Sequence, residues 1–221
     1  MGNLNQFNFV VENKNLVKGP ILEIGGKDFG NTPNFRKVFP EHSYISIDQE
    51  DGSNVDVVAD FTEDLAVILD KLPIKKFKTI INLSVLEHCR DPFKMCANIT
   101  DLLDDDGVVF ISAPFVWRIH AYPDDYWRFT PNGIRILFPG LDFDRYFGSV
   151  STNVKEEKKP ISNKMFTIFF SNLRSVMNTG KQSRFDCFLI YILRQTGLLN
   201  LLLKYPFIFP PTMVNMIGCK K

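Results

Sequence analysis

Ile21-Leu22-Glu23-Ile24-Gly25-Gly26-Lys27-Asp28-Phe29-Gly30, followed by Tyr44-Ile45-Ser46-Ile47-Asp48, is the stretch that decides the fold. Ile21–Ile24 is β-rich and too short for a helix, as in a strand buried on both faces. It breaks into glycines, which let the backbone take φ > 0 and let a ligand approach closely. Asp48 follows Gly25 by 23 residues and closes the second apolar run. An acid at the end of that strand is placed to accept hydrogen bonds from ribose hydroxyls. The plainer reading of the pair is an ordinary βα turn and a solvated Asp.

Outward from this stretch, Thr79–Leu83 and Val108–Ser112 read as two further strands, and Val55–Val58 as a short one. Helix-compatible segments, Leu65–Leu72 and Pro92–Leu103, alternate with them. Asp104-Asp105-Asp106-Gly107 reads as a turn before the next strand. Such alternation predicts an α/β fold with a parallel sheet and helices on both faces. Beyond Ala113 the texture changes. Residues 114–131 look like a loop over a site, Pro131–Phe138 like a short helix and Phe143–Ser151 like a strand. The charge run Lys155–Lys159 reads as a solvated connection. Residues 161–178 and 184–204 read as helices, and Thr212–Cys219 as a last strand paired with 143–151. The expectation is one domain over residues 1–221. It has a core at 15–152, a helical insertion at 160–208 serving as lid or interface, and the last strand at 212–219.

Composition sets the outer limits. The 221 residues are 45% apolar and 23% charged, which is globular rather than disordered. A net charge of +1 supplies no field to attract a polyanion, so no nucleic-acid partner is expected. Charge is uneven, however: residues 1–159 sum to −6 and residues 160–221 to +7. The second segment is also apolar, and Phe185–Leu203 carries only Asp186 and Arg194 as charges. Such a segment suits an anionic membrane surface, a substrate lid or an oligomer interface, or a helical cap whose polar face happens to be basic. The four cysteines form no C-x-x-C pair, the chain opens without a secretory pattern, and prolines interrupt its longest uncharged stretch. The expected location is the cytoplasm, peripheral to the membrane if 161–208 touches lipid.

Leu22-Glu23-Ile24-Gly25, Ile45-Ser46-Ile47-Asp48, Val57-Val58-Ala59-Asp60-Phe61 and Leu83-Ser84-Val85-Leu86-Glu87-His88 resemble, in order, the successive motifs of class I S-adenosylmethionine-dependent methyltransferases. The resemblance covers about residues 20–135. It implies a Rossmann-like sheet of seven mostly parallel strands with the last one antiparallel, and S-adenosyl-L-methionine as cofactor. It implies that Glu23, Gly25 and Gly26 line the turn facing the methionine part, and that Asp48 holds the ribose. Asp60 and Phe61 would flank the adenine, and Asn82 to Ser84 would close the pocket. The family turn reads acid-x-Gly-x-Gly-x-Gly. Here Lys27 and Phe29 hold the later glycine positions, with Gly26 and Gly30 one residue away, which implies a longer or differently shaped turn.

A second constellation follows the strand Val108–Ser112: His120-Ala121-Tyr122-Pro123-Asp124-Asp125-Tyr126-Trp127-Arg128-Phe129-Thr130-Pro131. It resembles a methyltransferase subgroup associated with polysaccharide and glycoconjugate biosynthesis. Its place is the carboxyl edge of the sheet, where α/β folds bind ligands. His120 is the best general base, since an imidazole accepts a proton at neutral pH. Asp124 or Asp125 would orient it or bind substrate hydroxyls. Tyr126 and Trp127 offer flat faces to a sugar or the adenine, although for Trp127 and Phe129 packing as core anchors is the preferred reading. Arg128 would clamp a substrate carboxylate or phosphate, or else pair with an Asp inside the loop. His88 reads as a second base or as a residue that orders its loop. Three histidines without cysteine-ligand spacing predict no metal centre.

These residues together predict methyl transfer from S-adenosylmethionine to an oxygen, or else a nitrogen, of a saccharide or glycoconjugate acceptor. Two alternatives stand beside it: a non-catalytic scaffold with this fold in a membrane-proximal complex, and a methyltransferase for a small lipid-like acceptor. Oligomerisation is compatible with either.

Overall fold

The computed structural model describes residues 4–30, 33–120, 124–146, 148–152, 158–160, 184–199 and 211–221. Its centre is a single sheet built from β1 (Ile21–Ile24), β2 (Tyr44–Asp48), β3 (Val57–Val58), β4 (Phe77–Leu83), β5 (Leu103–Pro114), β6 (Leu141–Asp142), β7 (Ser149–Thr152), β8 (Lys158–Pro160) and β9 (Pro211–Lys220). The strand order is β3-β2-β1-β4-β5-β9-β7-β8, with β6 paired to β9. β1 to β5 run parallel, and β9 runs antiparallel to both β5 and β7. The seven strands from β3 to β7 along that order make the expected Rossmann-like frame with its last strand reversed. Two short additions, β6 and β8, bring the sheet to nine strands.

Strand alternation divides the core into two layers. Ile21, Ile81 and Phe110 point to one face, where they meet Phe9 and Val10 of α1 (Leu4–Glu12) and Phe35 of α2 (Phe35–Val38). Leu22, Ile80 and Val109 point to the other. There they meet Ile68 of α3 (Leu65–Lys71), Ile99 of α4 (Pro92–Leu102) and Ile134 of α5 (Pro131–Leu137). α4 and α5 each start at a proline, behind a cap. The Asp91 side chain accepts from Lys94 N at 3.0 Å, and Thr130 Oγ1 accepts from Gly133 N at 3.0 Å.

Several boundaries differ from expectation. Asp104–Gly107 is part of β5 rather than a turn before it. The β4 register jumps from Phe77↔Leu103 to Thr79↔Val108, so the extra residues bulge outward while the strand continues. Lys78 holds the bulge, with Nζ 3.1 Å from Asp104 and 2.6 Å from the Asp105 carbonyl oxygen. The strand expected at Val55–Val58 is only Val57–Val58, because Asn54 turns the chain at φ 69°. Of Phe143–Ser151, only Ser149 onward is strand, and Phe143 packs edge-on to Phe138 at 6.2 Å. The helix expected at 161–178 lies outside the described residues. Of 184–204, Arg184–Gln195 forms α6, and its Phe188 and Tyr191 are exposed. Among the described residues no helix is long and apolar enough to cross a membrane.

α1 is an addition that the sequence reading did not place. Its buried face mixes Asn5 and Gln6 with Phe9 and Val10, which hides the apolar period. Gln6 Nε2 donates to Ser84 Oγ at 2.8 Å and Ser112 Oγ at 2.9 Å, tying the helix to the ends of β4 and β5. Ser112 Oγ donates onward to Asn215 Oδ1 at 2.6 Å on β9.

Candidate active site

A cleft of about 890 Å³ opens at the carboxyl ends of β1, β2, β4 and β5. The strand order reverses there, between β1 and β4, which is where open α/β sheets bind ligands. One end of the cleft is the glycine turn. Gly25 and Gly26 N–H both donate to Ile47 O, at 2.8 and 3.2 Å. Gly25 has φ +73°, and a Cβ there would stand 2.4 Å from Val85 Cγ2. Gly26 faces away from the cleft: a Cβ would meet Ser46 Oγ at 2.0 Å. Beneath the turn, Glu23 is 2% exposed and accepts from Tyr44 OH at 2.5 Å and Asn54 Nδ2 at 3.2 Å. Burial raises its carboxyl above the ordinary Glu range. Glu23 and Gly26 therefore support the turn from below and do not line the cleft.

Asp48 does line it. Its Oδ2 accepts from Lys27 N and its Oδ1 from Glu50 N, both at 3.1 Å. Each oxygen has a second lone pair for a ligand hydroxyl. Lys27 Nζ reaches Glu50 at 2.8 Å, so the lysine in the glycine position lies along the end of β2. Asp60 and Phe61 form the wall beyond β3. Thr62 N and Oγ1 donate to Asp60 Oδ1 at 2.8 and 2.7 Å, and Asn98 Nδ2 holds the Phe61 carbonyl at 2.9 Å. Ser84, at φ 55°, lines the cleft beside Val85. Asn82 does not: strand alternation buries it completely, with Nδ2 3.9 Å from Met95 Sδ.

The other end carries the histidines. A 3₁₀ turn at Leu86–His88 supplies Glu87 and His88, and the loop after β5 supplies His120 and Asp124–Arg128. Backbone bonds join the two: Tyr126 N and Trp127 N donate to Glu87 O at 2.8 and 3.3 Å. The His88 and His120 rings meet edge to face, 4.9 Å between centroids. Asp125 is the carboxylate that orients His120. Its Oδ2 accepts from His120 N at 2.9 Å and stands 3.1 Å from Nδ1. Arg128 grips both oxygens of Asp125 and holds its carboxyl well below the usual range. Asp124 acts elsewhere. Its carbonyl lies 2.6 Å from His88 Nδ1, and its carboxylate accepts from Tyr126 OH at 2.6 Å. Burial lowers the His88 imidazole below its ordinary value and raises the Glu87 carboxyl to about 7.

Of the two readings of Arg128, a substrate clamp and a pair with an Asp inside the loop, its position matches the second. Its guanidinium is turned into the loop, onto Asp125 and the carbonyls of Trp117, Arg118 and Trp127. Tyr126 lines the cleft and accepts from Arg90 Nε at 2.8 Å. Trp127 lies off the lining with Nε1 bonded to Cys89 O at 2.8 Å, and Phe129 is a buried core anchor. Residues 121–123 lie outside the described residues.

No family model matches the chain, and no curated protein does. Solved structures do match. A methyltransferase dependent on S-adenosylmethionine from Archaeoglobus fulgidus aligns at TM-score 0.56 with 14% identity, covering 98% of this chain and 94% of that one. One from Thermotoga maritima aligns at TM-score 0.50 with 11% identity, covering 98% of this chain and 89% of that one. The chain has the class I methyltransferase fold.

On that methyltransferase fold, the structure adds cleft residues that the motifs did not mark. Leu4 arrives from α1, Trp117 and Arg90 from loops, and Met213 from β9. None stands in a recurring local pattern, so no sequence signal precedes them. Glu87 is different. It stands beside His88 in a quoted motif, yet only its 1% exposure marks it as a buried acid in the wall.

Proposed function

We propose that the chain transfers a methyl group from S-adenosylmethionine to a hydroxyl oxygen of a saccharide-like or glycoconjugate acceptor. The observation that carries the reading is one cleft with two unlike ends, an acid-and-glycine turn at Asp48 and a histidine pair at His88 and His120. The residues fit the cofactor. The volume is that of a small-molecule site, and Gly25 leaves the backbone bare where a Cβ would collide. The cofactor supplies an already activated sulfonium methyl.

Asp48 accepts from the ribose hydroxyls, the bare turn at Gly25 takes the methionine part, and Asp60 with Phe61 flanks the adenine. Ser84 and Val85 close the wall. His120 stands at the acceptor end, with the Arg118 carbonyl and the nearby Asp125 carboxylate keeping the proton on Nδ1 so that Nε2 takes the acceptor's proton as the methyl is transferred. Alignment of the acceptor oxygen against the methyl supplies most of the rate. Tyr126 offers its exposed ring to a sugar face. An acceptor in which this oxygen belongs to a saccharide suits the polar side chains of this end, Arg90, Asp124 and Tyr126.

Calorimetric titration with S-adenosylhomocysteine tests the first half. One-to-one binding that Asp48→Ala weakens is expected, and absence of binding by folded protein points to the scaffold reading instead. A sugar-acceptor screen tests the second half. His120→Ala is expected to lose turnover by about 10²–10⁴-fold while keeping cofactor affinity, and full activity in that variant removes His120 from the chemistry.

A further inference from the structure

Glu87, His88 and His120 each offer one ligand-type atom, and these atoms lie within 4.8 Å of one another. Glu87 is 1% exposed, and its Oε2 has no hydrogen-bond partner. A buried carboxylate oxygen in that state is costly, and a cation beside it removes the cost. Both imidazoles are oriented alike. His88 Nδ1 is held by the Asp124 carbonyl at 2.6 Å, and His120 Nδ1 by the Arg118 carbonyl at 3.3 Å with Asp125 Oδ2 3.1 Å away. With the proton on Nδ1, each ring presents the Nε2 lone pair. Asp125 is fixed in turn by Arg128. An imidazole whose far nitrogen donates to a carbonyl or a carboxylate is the outer-shell arrangement of metal-bound histidines.

We propose that Glu87, His88 and His120 bind one divalent first-row transition-metal cation, through a Glu87 carboxylate oxygen and the two Nε2 atoms. Two nitrogens and one oxygen suit zinc, manganese, iron(II) or cobalt, whereas magnesium and calcium take oxygen ligands. Tetrahedral bonds of about 2.0–2.2 Å set ligand atoms roughly 3.3 Å apart, so occupancy draws the three side chains inward. Three protein ligands leave a position open, and all three residues line the cleft.

The role of the ion rests on the methyl-transfer reading, whereas its binding does not. The acceptor hydroxyl takes the open position and loses its proton to water. The oxygen then forms its bond to the methyl carbon as the carbon–sulfur bond breaks, and that electron pair stays on sulfur. In the loaded protein the ion thus replaces His120 as the means of activating the acceptor.

The test is titration of the chelator-treated full chain with Co²⁺, read by visible absorption, and with Zn²⁺ and Mg²⁺ by calorimetry. One Co²⁺ per chain is expected, with Mg²⁺ giving no saturable binding. Glu87→Gln and His88→Ala are each expected to weaken Co²⁺ binding at least ~10-fold, and Asp125→Asn by about 10–100-fold. Far-ultraviolet dichroism establishes that each variant is folded. No Co²⁺ binding by the wild-type chain, equal binding of Mg²⁺, or affinity unchanged in both folded ligand variants overturns the proposal. S-adenosylhomocysteine is titrated into the same samples. Cofactor binding without metal binding overturns the metal site alone, and metal binding without cofactor binding overturns the methyl-transfer reading alone.

Discussion

Beneath the glycine turn and behind the histidine pair stand two enclosed carboxylates, Glu23 and Asp125, whose pKa values are shifted in opposite directions. Beneath the turn, Glu23 is hydrogen-bonded by neutral donors, Tyr44 OH and Asn54 Nδ2, and burial outweighs the pull of the Arg36 charge, so its carboxyl is pushed up. At the histidine end, Asp125 is gripped by Arg128 and touched by His120, and its carboxyl is pulled down. Burial penalises charge in both places, and only the direct two-oxygen grip of Arg128 on Asp125 outweighs it; Glu87, which has no such grip, stays raised to about 7. The turn end is therefore a backbone device resting on the sheet. The histidine end is a side-chain device that depends on one charged pair, so single substitutions are expected to act differently at the two ends.

The largest contrast is expected from Asp125→Asn. Turnover falls about 10²-fold or more because His120 loses its orienting carboxylate, while calorimetry finds the affinity for S-adenosylhomocysteine unchanged. Equal losses of turnover and affinity would erase the distinction between the ends. Asp48→Ala reverses the pattern. It removes a charged acceptor at the turn end and weakens S-adenosylhomocysteine by about 1.5–3 kcal/mol. Gly25→Ala forces a Cβ into Val85 at φ +73° and costs about 1–3 kcal/mol in denaturant unfolding, with cofactor affinity falling alongside. An unchanged midpoint would show that the turn relaxes.

A pH series sharpens the same comparison. The folded-state pKa of Glu23 is raised, so its contribution to stability is fully present below the ordinary Glu range, near 4.3. It is lost as pH rises through the raised value. Glu23→Gln is expected to flatten that part of the melting-temperature profile, and a profile identical to wild type would mean the burial cost is relieved elsewhere. The smallest effect belongs to Glu50→Gln. It breaks an ion pair to Lys27 in which Glu50 is 54% exposed, and is expected to shift unfolding by about 0.2–1 kcal/mol at most.

Legibility of the chain follows the same division. β1, β2, β4 and β9 were readable because each is a local run of β-formers ending in turn residues, and a strand's character is set by its own side chains. Gly25 and Asp48 were readable because a βα turn and a strand end lie at fixed offsets from those runs. Asn82 was misplaced by one step of alternation. It stands just before the Leu83–His88 motif and faces α4 in place of the cleft. α1 was missed because polar Asn5 and Gln6 occupy its buried face, where Gln6 is satisfied by Ser84 and Ser112, partners far away in sequence.

What the sequence by itself determined is the frame: an α/β sheet, its order of motifs, and the positions of glycine and acid at the ends of β1 and β2. These depend on neighbours a few residues away, so composition and spacing carry them. The tertiary structure decided between Asp124 and Asp125 beside His120 and between clamp and loop pairing for Arg128, and it alone brought Glu87 to the two histidines. Those contacts form only when the loop after β5 crosses the turn after β4, with Tyr126 N bonded to Glu87 O at 2.8 Å. A meeting between separated segments is set by the packing that brings them together, and no local pattern of residues encodes it.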